Sequence, residues 1–243
     1  MRIDQLMTER GLVPSRSRAR DLILRGLVTA NGRQVARPSS AVPEDADIAI
    51  TEEWSGYVSR GALKLAAALD AFGFDVEGRI ALDVGASTGG FTQMLLRRGA
   101  ARVYAVDVGH GQLHVSLRSD GRVVAWEGTD ARDLHGGLVP EPVSAITVDV
   151  SFISLEKVLP SAFALAAPGA WVVLLVKPQF EAGREAIGKG GIVRSEEARL
   201  NALGSIERFV ATQPGWRIAG STLSPIAGQS GNVEYLLGAT YAP

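Results

Sequence analysis

The sequence predicts a doubly wound α/β fold with a seven-stranded sheet, preceded by a small N-terminal α+β unit. Three observations point there. First, Arg79-Ile80-Ala81-Leu82-Asp83-Val84 reads as a strand and Gly85-Ala86-Ser87-Thr88-Gly89-Gly90 as a glycine-rich turn. A helix Phe91–Arg98 and a second strand, Val103-Tyr104-Ala105-Val106, follow, and the strand ends in Asp107. Strand, loop, helix, strand, acid is the unit that holds a nucleotide-like ligand, with the glycines admitting it close to the backbone. Second, Trp171-Val172-Val173-Leu174-Leu175-Val176 has no polar position, as expected of an inner parallel strand covered on both faces. Third, the pattern changes near Gly56, which divides the chain into residues 1–50, a linker 51–57 and a body 58–243.

Composition narrows the function classes. With 46% hydrophobic and 21% charged residues, the 243-residue chain belongs among ordinary globular proteins. The absence of cysteine excludes disulfides, thiolate metal sites and a cysteine nucleophile. The start MRIDQLMTERG lacks a signal-type apolar core, and no apolar stretch approaches the ~20 residues that span a bilayer. A soluble cytoplasmic protein with no membrane partner is the expectation. The net charge of -1 conceals an asymmetry. Eight arginines against three acids make residues 1–37 about +5 and leave about -6 for the rest. A basic end module on an acidic body suits a polyanionic partner.

In the first fifty residues, Ile3, Leu6 and Met7 recur at helical spacing and stop at Gly11. Ser15 is placed to cap a second helix with Ala19, Leu22, Ile23 and Leu24 inward and Gly26 at its close. Arg16, Arg20 and Arg25 share roughly one side of it, with Arg18 beside them. Two short strands joined by Asn31-Gly32 form a hairpin, and Asp47–Ile50 adds a third strand. A charge run is ordinarily a solvated helix face, but arginine is the cation suited to bidentate phosphate contact. The segment RIDQLMTERGLVPSRSRARDLILRGLVTANGRQVARPS resembles, nearly end to end, the S4 RNA-binding module. That resemblance implies RNA contact through Arg2, Arg16, Arg18, Arg20 and Arg25.

In the body, a helix carrying Leu63, Leu65, Ala67 and Leu69 precedes the glycine turn. The strand Ala145-Ile146-Thr147-Val148 delivers Asp149, and Trp171–Val176 delivers Lys177, followed by Pro178. A helix around Ser195–Ala211, a strand near 215–223 and a last strand with Glu234 at its start complete the Rossmann-like pattern. Crossovers of one hand would bring the residues after the first, second, fourth and fifth strands to one edge.

DVGASTGG departs from the dinucleotide fingerprint and resembles motif I of S-adenosylmethionine-dependent methyltransferases. The resemblance implies S-adenosyl-L-methionine as cofactor, with contacts from Asp83, Gly85, Ser87, Thr88, Gly89, Gly90, Phe91, Asp107, Val108, Asp130 and Ala131. Asp107 would hold the ribose, and Asp130, in Gly128-Thr129-Asp130-Ala131-Arg132, the adenine amino group. A loop-bracing role is the competing reading for Asp83. Methyl transfer to a ribose hydroxyl requires alignment of the acceptor and removal of its proton. Two amines and two acids in one cleft suit that task, each acid anchoring an amine. Lys64, Asp149, Lys177 and Glu234 supply such a set. Their order resembles the Lys-Asp-Lys-Glu tetrad of RrmJ-type, FtsJ-like ribose 2′-O-methyltransferases. By that resemblance Lys177 is the central lysine, Asp149 and Glu234 orient charge, and Lys64 assists. Taken alone, a helix lysine such as Lys64 reads as solvent-facing, and Lys177 could reach water.

VSRGALKL, DVGASTGGF, VDVSFISL, LVKPQFE and GNVEYLL behind an S4 module together resemble the TlyA family, over essentially the whole chain. The family's substrate is the cytidine 2′-hydroxyl of ribosomal RNA, and the chain's short ends resemble the form that acts on the large subunit. Arg60 and the loop lysine Lys189, in Gly188-Lys189-Gly190-Gly191, join the expected RNA contacts. His110 and His114 stand four apart without an evident third ligand, so no metal and no required protein partner are expected. Members of the family also carry the label hemolysin, which makes a non-enzymatic cytolysin one rival. Others are an NAD-dependent oxidoreductase and a non-catalytic RNA-binding regulator. The cytolysin lacks a membrane-spanning pattern, the oxidoreductase its fingerprint, and the intact tetrad argues against the regulator.

Overall fold

The computed structural model describes residues 1–24, 27–50, 56–228 and 231–243. The expectations placed on Arg25, Gly26 and linker residues 51–55 lie outside these residues. The chain forms two compact units, Met1–Tyr57 and Val58–Pro243.

In the first unit, α1 (Ile3–Glu9) ends through Arg10 at Gly11, which takes φ +67°. In α2 (Arg16–Leu24), the Ser15 hydroxyl accepts the Arg18 N–H at 3.2 Å, the capping role its position implies. Strands β1 (Val28–Ala30) and β2 (Arg33–Gln34) pair antiparallel across Asn31 and Gly32. Both turn residues have positive φ, the conformation of a type I′ turn, whose twist matches that of the strands. Strand β3 (Ile48–Ile50) pairs with the other edge of β1.

Asp4 is wholly buried beside Ile3, Leu6 and Met7, which is costly for a charge without partners. Its partners are Arg2, bonded through Nε at 2.9 Å and Nη2 at 3.0 Å, and Arg16 through Nη2 at 3.0 Å. Chiefly through Arg2, this holds the Asp4 carboxyl down at about 2. Arg2 and Arg16, expected as RNA contacts, are thus also the counter-charges of this acid.

The second unit opens with α3 (Gly61–Phe72) and contains a seven-stranded sheet. Its strands are β4 (Ile80–Val84), β5 (Arg102–Asp107), β6 (Val123–Glu127), β7 (Val143–Val148), β8 (Ala166–Val176), β9 (Trp216–Leu223) and β10 (Tyr235–Tyr241). Their order is β6-β5-β4-β7-β8-β10-β9. The pairs from β6 across to β8 are parallel, while β10 runs antiparallel to both β8 and β9. The chain proceeds outward from β4 to β6 and resumes on the other side of β4 with β7. The order therefore reverses between β4 and β7, where such sheets form their ligand crevice. Ala170–Val176 is buried throughout, as its unbroken apolar run requires. Helix α4 (Gly90–Arg97) follows β4, α5 (Leu155–Phe163) follows β7, and α6 (Glu196–Thr212) is capped by Ser195.

One glycine in β10 determines how α3 packs. A Cβ on Gly238 would lie 2.6 Å from Phe72 Cδ2. Its absence lets the end of α3 press onto the sheet, beside a register irregularity at Gly238/Ala239.

The acid in the first unit makes a testable demand. Its folded value lies below the ordinary 3.8, so its stabilisation is present above about pH 4 and is lost as pH falls toward about 2. Hydrogen exchange of residues 1–57 in the full chain should quicken across that window. Asp4→Asn should raise exchange at neutral pH and remove the acid dependence.

Candidate active site

The crevice is assembled by the loops that follow β4, β5 and β7. Gly85 leaves β4 with φ +82°, and a Cβ there would stand 2.4 Å from the backbone oxygen of Asp149. Only glycine allows the loops after β4 and β7 to approach so closely. The Asp107 carboxylate ties the first loop to the second. One oxygen accepts the Ser87 N–H at 2.8 Å and the other the Gly109 N–H at 2.7 Å. A carboxylate offers about four lone-pair sites, so about two remain for a ligand.

The resulting cleft has a volume of about 420 Å³. Of the residues expected to contact a cofactor, Gly85, Ser87, Asp107, Val108, Asp130 and Ala131 line it. Val108 is an exposed apolar side chain there. Asp130 caps the short turn Ala131–Asp133 by accepting the Arg132 N–H at 2.9 Å, and it pairs with the Arg132 guanidinium at 2.6 Å. Arg132 holds the Asp130 carboxyl down at about 2, so near neutral pH it is an acceptor only.

The other expected cofactor contacts are placed differently. Asp83 is fully buried, and its oxygens accept the Thr92 hydroxyl at 2.6 Å and the Thr147 hydroxyl at 2.9 Å. It braces β4 against α4 and β7, because its position in the pleat faces the interior. Gly89 and Gly90 face neighbouring side chains and backbone: Cβ atoms there would meet Leu117 at 2.2 Å and Ser59 Oγ at 2.1 Å. Phe91 is buried, and a Cβ on Gly61 would lie 3.2 Å from its ring. Thr88 is exposed outside the cleft lining, and its carbonyl accepts the His114 N–H. These residues shape the helix start; they do not line the cleft.

The four tetrad residues form two ion pairs, and of the four Asp149 lines the cleft. Lys177, at the end of β8, places Nζ 2.6 Å from Asp149 Oδ1 and donates to Ser151 Oγ at 2.9 Å. Asp149 Oδ1 is buried with no directed hydrogen bond, so the Lys177 charge is its compensation. Lys64 Nζ lies 2.5 Å from Glu234 Oε2, and both side chains are buried. The solvent-facing reading of Lys64 therefore fails; α3 turns it inward, in line with Ala68 and Leu65. Antiparallel β10 explains the position of Glu234. Tyr235 is opposite Val176, so Glu234 and Lys177 are the next residues outward at the same sheet edge.

The cleft also contains residues that sequence reasoning missed. Phe152 is 91% exposed, has φ +65°, and lies 5.1 Å from the Phe180 ring. Gln112, Thr129, Val150, Ser151 and Ile153 complete much of the lining. Proximity to Asp149 was the available signal for residues 150–153; the strained conformation of Phe152 leaves no trace in sequence. Among the expected RNA contacts, Arg20 and Lys189 are exposed. Arg18 pairs with Asp21 at 3.5 Å and donates to the Tyr57 carbonyl at 3.2 Å, while Arg60 immediately precedes α3.

The sequence profile described as FtsJ-like methyltransferase matches residues 57–241, and that of the S4 domain matches residues 1–48. The chain belongs to the FtsJ-like methyltransferase family. Over 97% of its length it is 46% identical to the 16S/23S rRNA (cytidine-2′-O)-methyltransferase TlyA of Mycobacterium tuberculosis, covering 88% of that protein. It is 42% identical to hemolysin A of Brachyspira hyodysenteriae, over 97% of this chain and 98% of that one. A solved structure from Streptococcus thermophilus that carries a hemolysin name matches with TM-score 0.78 and 40% identity, covering 100% of this chain and 88% of that one. The recognition of TlyA-type relatives and of the doubly wound fold behind an S4 domain is thereby borne out.

Two buried acids distinguish bracing from pairing. Burial pushes the Asp83 carboxyl up to about 7, so its charged form penalises the fold as pH rises from about 4 to about 7. Asp83→Asn should therefore gain melting temperature relative to the parent protein between pH 5 and pH 8. Glu234→Ala would strand the buried Lys64 charge and should cost about 3–5 kcal/mol in denaturant unfolding.

Proposed function

We propose that this chain transfers a methyl group from S-adenosyl-L-methionine to the 2′-hydroxyl of a cytidine in ribosomal RNA. The observation that carries the reading is the convergence of Lys177–Asp149 and Lys64–Glu234 on the sheet edge that forms the cleft. Membership of the FtsJ-like methyltransferase family and the activity for which the Mycobacterium relative is named support it.

The residues present fit the cofactor. The cleft volume falls in the range of small-molecule sites. Asp107 has acceptor capacity for a ribose diol, Asp130 is an anionic acceptor for an amino group, and Val108 offers an apolar face. Gly85 leaves room at the loop where a side chain would intrude. When bound, the cofactor supplies an activated methyl group and its own leaving group.

The chain's residues provide alignment and proton handling. Asp149 and Ser151 fix Lys177 from two directions, so its amine is held in place at the rim. There its ammonium group donates to the attacking sugar oxygen and steadies the negative charge that develops as the hydroxyl proton passes to water. Asp149 maintains the local charge balance. Glu234 and Lys64 neutralise each other and anchor the start of β10 beside that amine. Phe152 presents an exposed ring at the same rim, a surface for the target base. The S4 unit supplies backbone contact through Arg20 and through the guanidinium N–H groups of Arg2 and Arg16 that Asp4 does not use.

Incubation of unmodified ribosomal subunits with radiolabelled cofactor should label a cytidine ribose, with large-subunit RNA the expected acceptor. Absence of label from both subunits would refute the proposal. Lys177→Ala should reduce transfer by about 10²- to 10⁴-fold while cofactor binding by calorimetry stays close to that of the parent. Retained turnover would remove Lys177 from the mechanism.

A further inference from the structure

Asn232 is only 2% exposed, although a buried amide without partners is unfavourable. Its partners belong to a distant stretch of chain. Oδ1 accepts the Val193 N–H at 2.9 Å, and Nδ2 donates to the Gly191 carbonyl at 2.9 Å. The side chain thus holds the backbone of the 188–193 loop on both sides of Ile192. That loop closes on itself as well: Gly188 N–H donates to Ile192 O at 3.0 Å and Gly191 N–H to Gly188 O at 3.1 Å. Gly190 and Gly191 both take positive φ, so the turn is specified by glycine. Lys189 and Arg194 are exposed on either side of the held segment.

The other side of Asn232 leads to the tetrad. Its main-chain carbonyl accepts the Gly228 N–H at 2.9 Å. Glu234, two residues on, has Oε2 on Lys64 and Oε1 2.5 Å from where a Cβ on Gly228 would stand. One short segment therefore fixes the Glu234 carboxylate and the cationic loop together.

We infer that Asn232 is a positioning residue that fixes the 188–194 loop beside the Glu234–Lys64 pair, and that this loop grips RNA phosphate through Lys189 and Arg194. The inference rests on the methyltransferase reading above. A loop tip flanked by glycines has little intrinsic preference for one conformation. A cation on it contacts a phosphate at a set place only if the loop is fastened, and Asn232 is the fastening. The ligand class is the sugar–phosphate backbone next to the target nucleotide, a sequence-independent contact.

A double-mutant cycle on the full chain tests this, with unmodified ribosomal subunits as substrate. Lys189→Ala should raise KM for RNA roughly 5-fold, leave kcat unchanged and flatten the salt dependence of RNA binding by about one unit of slope. Asn232→Ala should do the same. The double variant should show no more than the larger single effect, because an unfastened Lys189 no longer contributes. Asn232→Asp keeps the acceptor for Val193 and loses the donor to Gly191, so it should fall between; it serves as the readout if Asn232→Ala fails to fold. Fully additive effects, or a loss confined to kcat with KM and salt slope unchanged, would overturn the inference. Filter binding of RNA reports on the loop even if the parent protein transferred no methyl group, so the two readings fail separately.

Discussion

The antiparallel pairing of β10 with β8 is the constraint on which the site depends. With Tyr235 opposite Val176, the start of one strand and the end of the other meet at the same sheet edge. Side chains alternate faces along a strand, so a one-residue slip would turn Glu234 to the opposite face, away from Lys64. The register is secured by the buried apolar positions of both strands, Ala170–Val176 on one and Tyr235–Leu237 on the other. Core packing, remote from the chemistry, thus decides where the acid stands.

The crevice beside that edge depends on close backbone approach. Gly85 brings the β4 loop against Asp149, and Gly238 lets α3 settle on β10 and carry Lys64 inward. Asp107 then locks the loop after β4 to the loop after β5 through two backbone N–H groups. These contacts are all internal to the chain and tie the loops of the cleft to one another. A site built in this way spends less of its binding energy on ordering loops.

Three buried acids show how environment assigns roles. Asp4 has two arginines and stays ionised well below neutral pH. Glu234 has one lysine in a shared buried pair. Asp83 has neutral donors, the Thr92 and Thr147 hydroxyls and the Thr92 backbone N–H, so burial dominates and its carboxyl is pushed up to about 7. The same chemical group is thus an anchor for arginines, half of a buried ion pair, and an internal brace.

The strand–loop–helix unit, the apolar run ending in Lys177, the Asn31-Gly32 hairpin and the Ser15 cap were legible because local periodicity and turn chemistry specify them. Motif resemblance identified the family and the four residues that meet in two ion pairs. What sequence did not specify was how individual residues face. Within the expected motif Asp83 and Phe91 have buried side chains and Gly89 and Gly90 pack closely against Leu117 and Ser59, and Lys64 is inward where a lone helix lysine reads as outward. The Phe152 conformation and the Asn232 clasp on the distant loop left no local signal. By itself the sequence determined which elements form and which chemistry-bearing residues end them, since these follow from neighbours along the chain. Only the tertiary structure decided which of those residues share a cleft, because facing and pairing are set by strand register and by packing between segments far apart in the chain.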